Sequence, residues 1–264
     1  MIIQTDGDGL LLFRQTDHAL LSGEFATVWG NDRIPAPPRR EQTLIAASRH
    51  DDGWAEWELA PKLRPDGEPV DFIRVPVSDH APLYKRGVDL VQAEDDFAGL
   101  IVSLHFDRLY TRPFHPGMDP RIDHLTDDAL ALAQEHVAGE RERQAKLLAS
   151  LDADAQRDAD ECWRLLQVWD RLSLLVCMNR IDPSIEQQLP PIASVDGDVR
   201  IVARGTADGD LTVDPYPFAE DGVAFDIAFV RTDRTNWPDE PSYRRVFRSA
   251  PHGTLRFRCV TGMH

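Results

Sequence analysis

The hydrophobic period of this chain changes once, near residue 190, and the change limits the folds open to it. Up to about residue 178 apolar residues recur at three- and four-residue spacing, as on the buried faces of helices. From Pro190 onward they alternate, in runs at 199–203, 211–213, 223–230, 243–248 and 254–260 separated by Gly, Asp and Pro. That alternation is the mark of short strands in a meander. The first 14 residues read as a hairpin around Asp6-Gly7-Asp8-Gly9. Helices are expected at about 16–29, 41–50, from Ser78 or Asp79 onward, 95–110, 126–151 and 154–177, the last two as a helical hairpin. Residues 53–77, rich in Trp, Pro and Gly, have no clean period and read as a long ordered loop. The expected fold class is mainly α: a helical bundle over 16–180 and an antiparallel β-module over 190–264. An N-terminal hairpin over 1–15 is free to join that module.

Charge narrows the partners. The net charge is −16, with 32 Asp, 13 Glu, 26 Arg and 3 Lys. Clustered positive charge is what binds a phosphate backbone, so a nucleic-acid partner is not expected. No apolar run approaches the length needed to span a bilayer. The opening residues lack the basic start and apolar core of a signal peptide. A cytoplasmic protein with no membrane partner, a small-molecule substrate and room for homo-oligomerisation is the expectation. Cys162, Cys177 and Cys259 lack the spacing of a thiolate metal site or a disulfide framework and read as small buried hydrophobes.

Chemistry concentrates at His50-Asp51, which closes the apolar run Leu44-Ile45-Ala46-Ala47. Adjacent side chains on a helix diverge by about 100°, so both reach one point only where the helix ends or distorts. Imidazole and carboxylate are both ligands for divalent first-row metals. Asp170 shares an apolar helix face with Trp163, Leu166, Leu174 and Cys177, where a carboxylate needs a partner or a metal. A salt bridge or a helix cap would satisfy it as well. His105 lies among Ile101, Val102 and Leu109, and His18 above Leu21 and Phe25. Each histidine alone reads more readily as a satisfied core residue. With His80 they form a set of inward positions on successive helices, which is how helical bundles build metal sites. His136 is a further pocket-lining candidate; His115, His124, His252 and His264 fit the pattern less well.

In this order the chain resembles the HD-domain superfamily of metal-dependent phosphohydrolases, over roughly residues 16–178. The resemblance implies an HD-like helical bundle. It also implies one ion held by His18, His50, Asp51 and Asp170, and a second completed by His80 and His105 with Asp51 bridging. The ions would be Fe or Mn, with Zn, Ni or Mg as other choices. The chain is also similar to a family of uncharacterised prokaryotic proteins, through Asp17-His18-Ala19, Ser22-Gly23, His50-Asp51-Asp52-Gly53-Trp54 and Ser103-Leu104-His105. That similarity implies no activity.

Many hydrolytic HD proteins continue the pair as His-Asp-x-Gly-Lys, and here Trp54 stands in place of the lysine. A phosphate substrate then needs another cation, and Lys85, Arg86 and Arg108 are the candidates. Asp52 is placed to orient a water or hold a ligand histidine. The expected function is a dinuclear metal-dependent hydrolase of a small phosphate ester, acting through a metal-activated water. The alternatives are a mixed-valent di-iron oxygenase and a non-catalytic ligand-binding protein. In the last, Trp54, Trp57 and Phe72 would form a recognition loop.

Overall fold

A computed structural model of the chain describes residues 1–113, 120–179 and 181–262. Strands β1 (Ile2–Asp6) and β2 (Gly9–Phe13) form the expected N-terminal hairpin. Its register pairs Asp6 with Gly9, leaving Gly7 and Asp8 as the turn, and Gly7 has φ +59°. A two-residue type II′ turn requires positive φ at its first central residue, which glycine supplies without steric cost. The hairpin leads directly into helix α1 (Gln15–Val28), followed by α2 (Arg40–Arg49) and a short α3 (Ala55–Leu59). Next come α4 (Val77–Gln92), α5 (Asp96–Thr111), α6 (Asp127–Ser150) and α7 (Ala153–Asn179). The C-terminal part holds β3 (Glu186–Ile192), β4 (Val199–Gly205), β5 (Leu211–Asp214) and β6 (Val223–Thr232). Helix α8 (Glu240–Ser249) and strand β7 (His252–Thr261) complete it.

The mainly α expectation fails here. All seven strands belong to one sheet, in the order β1-β2-β6-β7-β5-β4-β3. This is an α/β fold, and the hairpin is one end of the sheet. Leu10 and Leu12 of β2 pair with Thr232 and Val230 of β6. The sheet is mixed and not the antiparallel meander expected, because β5 runs parallel to β7.

Packing explains why strands and helices form one body. β2 is buried along its whole length. Leu11 and Phe13 face the main core, while Leu10 and Leu12 face a second cluster with Met1, Val230, Trp237, Tyr243 and Phe247. Alternate residues of a strand point to opposite faces, so an uninterrupted apolar run means both faces are covered. Helices α1 and α7 pack on the main-core side and α8 covers the other. Phe25 of α1 meets Phe225 of β6 edge-on at 4.6 Å and Phe257 of β7 at 6.3 Å.

Three local readings are corrected. The alternation at 243–248 forms α8, because Asp239 caps it by accepting from Ser242 N at 2.7 Å. Pro241 sits in the first turn, and the buried Tyr243 and Phe247 are four residues apart, on one helix face. Strand β3 went unread because Pro190 and Pro191 interrupt it. It lies at the sheet edge, with its register shifted between Gln188 and Pro191, where proline is tolerated. The stretch 53–77 is not wholly a loop: it holds α3 and two 3-10 turns, and Trp54 is fully buried.

Candidate metal centre

Four elements bring their side chains to one buried point. His18 lies in the first turns of α1, directly after β2. His50 ends α2 with helical backbone angles, and Asp51 leaves the helix at φ −110°, ψ 17°. That break turns the two adjacent side chains inward together. Asp170 comes from α7, within a stretch of that helix, 165–177, that is buried throughout. Helix α4 fits over the His50-Asp51 turn because residue 53 is glycine. A Cβ there would stand 1.9 Å from the Leu83 carbonyl oxygen. That close approach seats His80 and Tyr84 beside the pair.

The nitrogen and carboxylate atoms converge within a few ångströms. His18 Nε2 and His50 Nε2 are 3.2 Å apart. Asp170 Oδ1 lies 3.3 Å from the first and 3.7 Å from the second; Asp51 Oδ2 lies 3.5 Å and 3.8 Å away. His18, His50 and Asp51 together could hold a metal ion, and Asp170 borders the same point. The far nitrogens fix the tautomers. His50 Nδ1 lies 2.9 Å from the Ala47 carbonyl oxygen; a carbonyl only accepts, so Nδ1 carries the hydrogen and Nε2 the lone pair. Ser173 Oγ donates to the Asp170 carbonyl at 2.8 Å and so accepts from His18 Nδ1 at 2.6 Å. Ser22 Oγ, 3.0 Å from Ser173, braces that hydroxyl. Gln15 Nε2 donates to Asp51 Oδ2 at 3.2 Å, while Asp51 Oδ1 is buried without a hydrogen-bond partner among the described residues.

Electrostatics agree with the geometry. Burial alone would raise the pKa of Asp170, yet His18 and His50 hold it well below the carboxylate range. Asp51 is likewise lowered against its burial, by His50 and then His18. Burial pushes His18 down, but Asp170 and Asp51 raise it to about 9. A proton is thus held where two lone pairs and two carboxylates converge, and a divalent ion satisfies the same atoms with more charge. Imidazole nitrogens and carboxylate oxygens are donors that divalent first-row metals accept.

The cluster forms the floor of a cavity of about 400 Å³. His105, its ring centroid 5.1 Å from that of His50, is held by Gln167 at 2.6 Å. Burial lowers its pKa to about 4, so it is neutral. His80 lines the cavity too, but both its nitrogens are engaged: Nδ1 with the Tyr110 hydroxyl at 2.7 Å, and Nε2 with Arg121 at 3.0 Å. Leu109, Leu174 and Met178 supply apolar wall; Arg112, Arg121 and His124 supply charge or polarity.

All six ligand candidates therefore gather at this site, though His80 turns to Arg121. The four residues given roles in the reaction from the sequence do not line the cavity. Asp52 pairs with Arg49 at 2.7 Å. Lys85 pairs with Asp89 at 2.9 Å on the surface, and Arg86 with Glu56. Arg108 bonds Asp160 and lies over the Trp163 ring at 3.7 Å, in a neighbouring cavity. His136 is half-buried on α6 and does not line the site, and His252 is exposed on β7. His115 and His264 lie outside the described residues. Sequence reasoning missed Tyr84, Ser173, Arg112 and Arg121. Tyr84 follows His80 by four residues and Ser173 follows Asp170 by three, spacings that mark one helix face. Arg121 follows a proline-rich break and carried no signal.

One family model matches, described as "Protein of unknown function (DUF3891)", over residues 1–232. No curated protein and no solved structure matches. The expected HD-domain assignment is corrected by these findings. The matching family is a different one, and a seven-stranded mixed sheet is not the helical body that an HD domain implies.

Proposed function

The chain belongs to the DUF3891 family, and we propose that it is a metal-dependent hydrolase of small phosphate esters. One observation carries this reading. His18 Nε2 and His50 Nε2, each hydrogen-bonded through its far nitrogen, converge with Asp51 and Asp170 at the base of a ligand-sized cavity. A divalent ion held by His18, His50, Asp51 and Asp170 would supply Lewis acidity and bring the pKa of a water toward neutrality. Asp51 Oδ1, buried and without a partner among the described residues, is placed to accept a proton from an attacking water as the P–O ester bond breaks. The departing oxygen then takes a proton, returned by Asp51. Tyr84, its phenol kept protonated by burial and by the nearby carboxylates, donates a hydrogen bond to a phosphoryl oxygen. Arg121 and Arg112 at the cavity wall balance substrate charge. The largely apolar remainder excludes bulk water and strengthens these interactions.

The test is metal content with turnover. Protein purified without chelator should carry about one equivalent of Fe, Mn or Zn per chain. It should hydrolyse members of a phosphomonoester and phosphodiester panel, and His50→Ala should lose both metal and activity. Wild-type protein that takes up less than about 0.3 equivalents under any loading condition would remove the proposal; so would turnover undiminished in His50→Ala. A second ion is favoured by one residue, His105, which lines the same cavity with its ring centroid 5.1 Å from that of His50. It would appear as two equivalents, one of them lost in His105→Ala.

A further inference from the structure

Leu109 in the last turn of α5 and Arg112 just past its end line the metal-centre cavity and also a second cavity of about 360 Å³. Among the described residues five arginines line that second space: Arg108 from α5 and Arg112 just past its end, Arg164 and Arg171 from α7, and Arg200 from β4. In a chain of net charge −16, such convergence from three separate elements stands out. Like charges gathered at one cavity repel, and an anion relieves the repulsion. Local carboxylates meet only part of the demand. Asp160 engages Arg108 and Arg164; Glu161 and Asp198 engage Arg164. Among the described residues, no carboxylate lies within ion-pair distance of Arg112 or Arg200. The indole of Trp163 orders the cluster, with the Arg108 guanidinium 3.7 Å and that of Arg112 5.2 Å from its ring centroid. Guanidinium forks held in place match the oxygens of a phosphate bidentately.

We propose that this second cavity is a phosphate subsite, and that the substrate carries a second phosphate group seated against Arg112 and Arg200. Leu109 and Arg112 border both cavities, so the two spaces adjoin and the substrate is a compact molecule bearing two phosphates. Arg200 lines the second cavity alone and Arg112 is shared between the two; the position of the scissile ester rests on the hydrolase reading above.

Inorganic pyrophosphate titrated into the full chain by calorimetry tests the subsite. Wild-type protein should bind it, and Arg112→Ala and Arg200→Ala should each weaken binding by about tenfold or more. Both side chains are exposed, so their melting temperatures should stay at the wild-type value. Arg204→Ala, on the same strand but paired with Glu186, should bind as wild type does. Wild-type affinity should fall with added salt, and less steeply in the two weakened variants. Chelator-treated, metal-free wild type should still bind pyrophosphate, and bind it with the same dependence on Arg200, which separates failure of the subsite from failure of the metal centre. Absence of pyrophosphate binding, equal affinity in Arg200→Ala, or tighter binding of citrate than of pyrophosphate would overturn the phosphate assignment.

Discussion

His18 Nε2 and His50 Nε2 stand 3.2 Å apart, each aimed at the other by a partner on its far side, Ser173 for one and Ala47 for the other. Two lone pairs at that distance repel unless a proton or a cation lies between them. Without metal the proton serves, which is why His18 is raised to about 9 despite burial that pushes it down.

A pH dependence with a definite sign follows. The folded pKa of His18 lies above its ordinary 6.5. Its contribution to the stability of the metal-free chain is fully present below pH 6.5 and lost as pH rises through about 9. Melting temperature of metal-free protein should therefore fall between pH 7 and 9.5, and added metal should restore most at the alkaline end. Because an ion must displace this proton, metal binding at pH 7.5 should release about one proton per chain. Calorimetry in buffers of different ionisation enthalpy reads that number; a value near zero contradicts the arrangement.

Ser173 touches no ion site itself. It holds the His18 ring, donating to the Asp170 carbonyl and accepting from His18 Nδ1. Partners of this kind are worth about 10–100-fold in metal affinity. Ser173→Ala should weaken binding by that factor, while the metal-free fold loses only about 1–3 kcal/mol for the buried hydrogen bonds removed. Equal metal affinity in wild type and variant would show that the hydroxyl plays no orienting part.

The helices were readable because their apolar residues keep the three- and four-residue spacing, and the site because His50-Asp51 ends a helix. Sheet pairing was not. Leu10 meets Thr232 across more than two hundred residues, and nothing in either strand's alternation names its neighbour. The segments 243–248 and 186–192 misled for opposite reasons. A cap and a first-turn proline outweighed apparent alternation in one, and two prolines hid an edge strand in the other. Cations were chosen by nearness in sequence, which ignores rotation. Lys85 is five residues from His80, about 140° around the helix, and so meets Asp89 at the surface.

Gly53 carries the approach of α4 to the metal pair. An added Cβ would fall 1.9 Å from the Leu83 carbonyl oxygen and 2.8 Å from Gly87 N. Both are backbone atoms, so no side chain can swing aside. Gly53→Ala should cost about 1–3 kcal/mol or more as α4 is forced outward, and should weaken metal binding as well. Chemical denaturation measures the first effect and competition with a chromophoric chelator the second. A variant as stable as wild type would mean that α4 does not sit this close.

Tyr84 offers the cleanest separation of chemistry from structure. Its ring stacks on Phe106 at 5.5 Å and lies 4.7 Å from that of His80, contacts that phenylalanine would keep. Its hydroxyl lies close enough to the two carboxylates to feel both Asp51 and Asp170. With burial, they keep the phenol protonated, a donor at any pH the fold survives. In the proposed reaction that donor faces charge developing on phosphoryl oxygens, where one hydrogen bond is worth about 10²–10³ in rate. Tyr84→Phe should therefore retain metal within a factor of about three and melt within a few degrees of wild type. Its kcat should fall by about 10²–10³ with little change in KM. If instead KM rises while kcat holds, the hydroxyl binds ground-state substrate and gives no selective help to the transition state.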